Sequence, residues 1–236
     1  MKTISAFFVV TGLTAGLHMA TAGDITGTIT LNGTPPPEKE IADIRTDVNC
    51  GKLHTEAVKT RFFVVGSKGE LADVFVTLKG ISGKSAGDKA EPIVIDQKGC
   101  EYLPYVTACQ TGQKIVVKNS DPVLHNIHTY EIIGAVRRTM FNVGQPDKGD
   151  LKQPIKVRRA NVIKVECDAH DFMHAWAFAA DNPYAAVTKE DGSFSIDGLP
   201  DGDYELKAWH PVLGEKSATV KVGAGGTANA AFEFTK

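Results

Sequence analysis

Cys167, His170 and Met173 follow one another at the spacing C-x2-H-x2-M, inside the segment Val165-Glu166-Cys167-Asp168-Ala169-His170-Asp171-Phe172-Met173-His174. A thiolate, an imidazole and a thioether form a soft donor set, which selects copper over hard cations. A second imidazole is available in Val123-Leu124-His125-Asn126-Ile127-His128. His125 and His128 are three residues apart, so an extended chain turns them to opposite faces and only one can join the set. Leu124 and Ile127 differ in parity and do not choose between them. Two imidazoles, one thiolate and a weak axial thioether hold one copper ion for one-electron transfer. The competing set is zinc, with His174 beside Cys167, His170 and an upstream histidine; it leaves Met173 without a role.

These residues need strands to position them. Ile163, Val165 and Cys167 share one parity and Lys164 and Glu166 the other, so the Cys167 thiol turns toward a core. A turn through Asp168-Ala169 then returns His170 to the same point. Upstream, Asn119-Ser120-Asp121-Pro122 makes a strong turn just before His125. The rest of the chain reads as strand too: 25–31, 60–65, 73–78, 92–95 and 114–118, with 154–167 as a hairpin or one long strand. No window keeps an apolar helical face for three turns, so the fold class is all-β. Five short strands between Gly-rich turns fill residues 183–236, a small sandwich that is short of core on its own. Residues 25–31 are the obvious strand for it to borrow, which would bring the chain ends together around a central domain.

Met1-Lys2, the apolar run Ile4 to Leu17 and Ala20-Thr21-Ala22 have the order of a secretory leader, cleaved near Ala22. Its removal from the 236-residue chain takes one charge, Lys2, and moves the formal net charge from −2 to −3. Such a near-neutral chain has no global field for nucleic acid. No later apolar run is long enough to span a bilayer. All four cysteines lie past the leader, at 50, 100, 109 and 167. If Cys167 is a thiolate ligand, at most one disulfide forms within the chain. Cys50 beside Gly51 and Cys100 after Lys98-Gly99 sit in turn-like segments that can meet, which makes Cys50–Cys100 the expected pair. His54 and His210 stand alone, and Trp209 is expected in the core of the tail module. No haem-attachment motif, nucleophile elbow or set of His-x-His pairs is present, so the sequence gives no reason to expect an enzyme.

His125-Asn126-Ile127-His128 followed by Cys167-Asp168-Ala169-His170-Asp171-Phe172-Met173 resembles the blue-copper proteins, or cupredoxins, and most closely their amicyanin-like branch. The resemblance selects His125 over His128 and implies a type 1 copper ion held by His125, Cys167, His170 and Met173. Asn126 would tie the two ligand loops together. The resemblance covers roughly residues 60–182 and implies a Greek-key β-sandwich, a periplasmic location and a role as one-electron carrier. It implies a redox partner such as a c-type cytochrome or a periplasmic dehydrogenase, with His170 nearest solvent as the electron port. Asp168 and Asp171 replace the usual hydrophobic surface and favour a positively charged partner. Residues 23–59 form an N-terminal extension. In residues 183–236, Asp191-Gly192-Ser193-Phe194 and Leu199-Pro200-Asp201-Gly202 resemble the carboxypeptidase regulatory, transthyretin-like modules. The other readings are a copper carrier or sensor that passes no electron, and a structural β protein with a zinc or vestigial metal site.

Overall fold

A computed structural model describes residues 22–81 and 84–236. The leader expected over residues 1–22 lies, but for Ala22, outside the described residues. In chain order the strands are β1 (Gly23–Asn32), β2 (Phe75–Leu78), β3 (Ile93–Gln97), β4 (Tyr102–Leu103), β5 (Val106–Gln110), β6 (Lys114–Asn119), β7 (His125–Ile133) and β8 (Val136–Gln145). They continue with β9 (Gly149–Pro154), β10 (Val162–Glu166), β11 (His174–Ala180), β12 (Ala185–Val187), β13 (Ser193–Leu199), β14 (Gly202–His210), β15 (Gly214–Val222) and β16 (Thr227–Thr235). Among the described residues, one short α-helix, α1 (Ala42–Thr46), and two 3-10 turns, Cys50–Leu53 and Gly87–Lys89, interrupt an otherwise all-β fold.

The central sandwich packs the sheet β5-β11-β10-β7-β8 on the sheet β4-β3-β6-β9. Ile95, Ile115 and Val117 from one face meet Ile127, Ile163, Val165 and Ala175 from the other, and all are buried. Each of these valines and isoleucines contributes about 1.5–3 kcal/mol on leaving water. In the second sandwich, the sheet β13-β1-β16 faces β12-β2-β14-β15. Here β1 pairs antiparallel with β13 and parallel with β16, so the first and last described strands are hydrogen-bonded neighbours. Gly27 sits where they close: a Cβ there would meet the Ala230 carbonyl oxygen at 1.9 Å and the Phe194 ring at 2.6 Å.

The two sandwiches share β2. Period-two alternation sends Phe75 into the central core, stacked on Phe178 at 3.9 Å between centroids, and sends Val74, Val76 and Leu78 into the tail core. β2 is hydrogen-bonded to β12 and β14, so this strand, read from the sequence within residues 60–182, is part of the tail module's sheet. Trp209 also departs from expectation. Leu206 and Ala208 of β14 enter the tail core, but Trp209 points the other way, onto Trp176 and Phe178 of the central sandwich.

The expected strand 60–65 and residues 155–161 of the expected 154–167 are loops, and in each a carboxylate takes amides a neighbouring strand would have bonded. In the segment 60–65, the Glu38 carboxylate accepts from the amides of Phe62 and Phe63. Between β9 and β10, the Glu131 carboxylate accepts from the amides of Arg158, Arg159 and Ala160 at 2.7, 2.5 and 2.8 Å. The region 154–167 is therefore neither a hairpin nor one strand. Residues 33–62 cross the end of the central sandwich as a largely irregular strap, joined to it by the Cys50–Cys100 disulfide and by His54, whose Nε2 lies 2.6 Å from the Gly99 carbonyl.

Candidate metal centre

The loop after β10 is closed by its own backbone. His170 N–H donates to Cys167 O at 3.3 Å, Met173 N–H to His170 O at 3.0 Å, and Cys167 N–H to Met173 O at 3.2 Å. Two turns in succession thus carry the chain from the buried Cys167 past Asp168 and Ala169 and back. β7 presents its odd-numbered residues inward, in the burial order of an alternating strand, so His125 is fully buried and His128 is not. Pleat parity, which the sequence alone could not assign, turns His125 inward and His128 outward.

His125, Cys167 and His170 converge. One ligand atom from each lies within 4.8 Å of the others. His125 Nδ1 is 3.2 Å from His170 Nδ1, and Cys167 Sγ is 3.7 Å from His170 Nδ1. Bonds of about 2.0–2.3 Å at near-tetrahedral angles span such separations, so the group has the size of a first-row metal site. Met173, 1 % exposed, lies at the loop's end in the same core cluster as Cys167.

The surrounding groups hold these side chains in place. Asn126 spans the two loops: its Oδ1 accepts from the amides of Asp168 and Ala169 at 2.6 and 3.2 Å and from the Cys167 thiol at 3.4 Å, while its own amide points at Cys167 Sγ from 3.5 Å. Tyr102, buried, donates its hydroxyl to the carbonyls of Asn126 at 2.5 Å and Glu166 at 3.0 Å. Asp121 was read from the sequence only as part of a turn, yet its Oδ2 lies 3.0 Å from His125 Nε2. Its place four residues before a candidate ligand histidine was the available signal.

Without metal, Cys167 and His125 shift one another in opposite directions. Burial pushes the Cys167 thiol up, but His125 and the amides of Asn126, Ala169 and His170 outweigh it and bring the thiol below its ordinary range. Burial likewise pushes His125 down, but the Asp121 carboxylate and Cys167 sulfur hold it up at about 9. His170 is depressed by burial and then by the charge on His125. A buried thiol lowered in this way beside two imidazoles suits a soft cation, whose binding would displace the sulfur's proton.

The remaining candidates lie elsewhere. His174 points away from the cluster; its Nε2 is 3.2 Å from the Tyr105 hydroxyl and its ring stacks on Phe62. The zinc set containing His174 is not assembled among the described residues. His128 lies on the outer face, with Nδ1 3.0 Å from Asp168 Oδ1 and the ring stacked on Tyr130. Asp168 and Asp171 are exposed. Cys109 is a buried free thiol that donates to Phe178 O. His170 is 9 % exposed against 0 % for His125, and Phe172 and the Cys50–Cys100 bridge lie beside it.

The family whose model matches this chain is described as domain II of polysaccharide lyase family 4, over residues 165–230. That is less than half of the chain, and it stands where a carboxypeptidase regulatory module was expected. No curated protein matches. Among solved structures, the chain is similar to amicyanin from Paracoccus versutus, with 18% identity over 44% of this chain and 97% of that one, at a TM-score of 0.31. It is also similar to a purple cupredoxin from Nitrosopumilus maritimus, with 17% identity over 37% and 99% of the two chains and a TM-score of 0.31. A copper-containing nitrite reductase from Thermus scotoductus SA-01 shows 14% identity over 38% and 22%, at a TM-score of 0.30. These likenesses are weak; the side chains at the site carry the functional reading.

Proposed function

We propose that this chain binds one copper ion through His125, Cys167 and His170, with Met173 as a weak axial donor, and works as a one-electron carrier in the periplasm rather than as an enzyme. The observation that supports this is the convergence of a buried thiol and two imidazole nitrogens at metal-site separations. Copper bound there supplies a reversible one-electron couple. The protein's part is to keep the ligands still: β7 and β10 hold His125 and Cys167, and Asn126 and Asp121 fix their orientation, so little rearrangement accompanies gain or loss of an electron. A redox protein such as a c-type cytochrome or periplasmic dehydrogenase is the proposed partner.

A second reading is a copper carrier that passes no electron, and the low exposure of both histidines favours it. The test of both is a Cu(II) titration of residues 23–236 followed by visible and EPR spectroscopy. An intense thiolate-to-copper band with a small parallel hyperfine splitting, absent in Cys167→Ser, is the expected result. Pale copper binding indifferent to Cys167 would sink the first reading and the second alike. A blue protein that exchanges no electrons with a small cytochrome in stopped flow would leave only the carrier.

A further inference from the structure

The Cys50–Cys100 disulfide lies against the candidate metal centre. Both sulfurs and a His170 ring nitrogen lie within 4.8 Å of one another, and Cys100, Asp121 and His125 make a further group of the same reach. A bridge needed only to tie the strap down has no reason to meet an imidazole of the site. Each cysteine is also held independently of the bond between them. On one side, Asp121 accepts from the amides of Gly99 and Cys100 at 2.8 Å each, fixing Cys100 in the left-handed region at φ 55°. On the other, Asp47 Oδ1 accepts from the amides of Asn49 and Cys50 at 2.8 Å each. These carboxylates shape the loop around each cysteine, whose Cα atoms are 5.7 Å apart, and the His54 contact with the Gly99 carbonyl joins the strap to the Cys100 turn apart from the sulfur–sulfur bond. Both sulfurs are buried, and a small cleft lined by Ile41, Ile44, Phe172 and Cys100 itself opens beside them.

We propose that Cys50, Cys100 and His170 form a second soft-metal site, opened by reduction of the disulfide and fitted to Cu(I). A dithiol reductant supplies two electrons and two protons: its own thiols join as a disulfide, the Cys50–Cys100 bond breaks, and two thiols form. Cu(I) then takes the two sulfurs and the imidazole, releasing the thiol protons, since thiolates are its preferred ligands. The site shares His170 with the centre proposed above but does not use Cys167, so the two stand or fall separately.

The experiment uses the Cys167→Ser chain, oxidised and dithiol-reduced, with reductant removed under argon and Cu(I) titrated against a chromophoric chelator. The reduced form is expected to take up one Cu(I) at least about tenfold more tightly than the oxidised form, and His170→Ala to abolish most of that gain. In parallel, the reduced natural chain is alkylated with and without Cu(I) and mapped by mass spectrometry. Cu(I) should protect Cys50 and Cys100, whether or not Cys167→Ser folds. A disulfide that the dithiol leaves intact in the folded chain, equal Cu(I) affinity before and after reduction, or unprotected Cys50 and Cys100 would each overturn the proposal. The Cu(II) spectrum of the oxidised natural chain reports on the first centre alone.

Discussion

Asp121 and His125 form a carboxylate–imidazole pair inside the protein, 3.0 Å apart, with side chains 5 % and 0 % exposed. His125 donates from Nε2, so its Nδ1 is the nitrogen left to face Cys167 and His170. A carboxylate in this position fixes both the tautomer and the ring plane of a metal-ligating histidine. Replacing Asp121 by Asn should lower copper affinity by about 10- to 100-fold without removing the charge-transfer band. Competition titration checks this, and unchanged affinity would mean that the pair does not orient the ring.

Met173 should tune the centre rather than hold it. Met173→Leu keeps the volume of a buried side chain, so its cost in stability should stay below about 1.5 kcal/mol. The reduction potential and the visible band should shift while copper remains bound, because the axial donor is removed. Cyclic voltammetry and a thermal melt, run side by side, separate the two effects.

Two buried groups set an acid limit on stability. His210 is 1 % exposed and accepts at Nδ1 from the amides of Val212 and Leu213, both at 3.2 Å; burial lowers it from 6.5 to about 4. The folded form therefore binds fewer protons than the unfolded form between those values, and stability falls as pH drops from 6.5 toward 4, by about 3 kcal/mol in all. Urea midpoints at pH 7 and pH 4.5 should differ less in His210→Asn, whose side-chain oxygen can replace Nδ1.

Glu131 acts in a lower window. Burial raises it, but the amides of Arg159, Ala160 and Arg158 and the Arg138 guanidinium outweigh that and bring it from 4.5 to about 2. Its stabilisation is complete above pH 4.5 and is lost as pH falls toward 2. Glu131→Gln should flatten unfolding between pH 4.5 and 2 and destabilise the protein at pH 7 by about 3 kcal/mol or more, since it leaves three loop amides poorly matched.

Gly27 tests how the chain ends join. With the Ala230 carbonyl already inside the space of a Cβ, Gly27→Ala must push β1 and β16 apart. The tail module should lose about 1–3 kcal/mol, while copper binding at the central sandwich stays unchanged. Tyrosine and tryptophan fluorescence melts against the copper band would resolve the two.

The convergence of Cys167 and His170 was legible because strand parity and loop length are local properties, whereas His125 over His128 came only from the resemblance. Cys167 had to face inward with Ile163 and Val165, and two short turns suffice to bring His170 back. The disulfide was legible for a similar reason, from turn residues around Cys50 and Cys100 and the parity of the cysteine count. Asp121, Tyr102 and Glu131 escaped because their roles depend on which distant backbone amides and carbonyls come within 3 Å, and that is set by tertiary packing. The strap beside His170 escaped for the same reason: nothing in Pro35-Pro36-Pro37 or in the five-residue α1 says what they lie upon. Strand β2 was found, but its two faces serve two different cores, and apolar alternation cannot say which.

The pairing of β1 with both β13 and β16 also governs the order in which the protein can form during synthesis. Ile25 meets Ile196 and Ala228, partners made 171 and 203 residues later. At about 5–20 residues per second, β1 waits unpaired on the order of ten seconds or longer after leaving the ribosome. The strands of the central sandwich, Ile93 to Ala180, are all made before either partner. The half that carries the candidate metal centre can therefore assemble around its own nucleus while the other half is still waiting for its last strand, and long-range closure of this kind is the slow step in β folds.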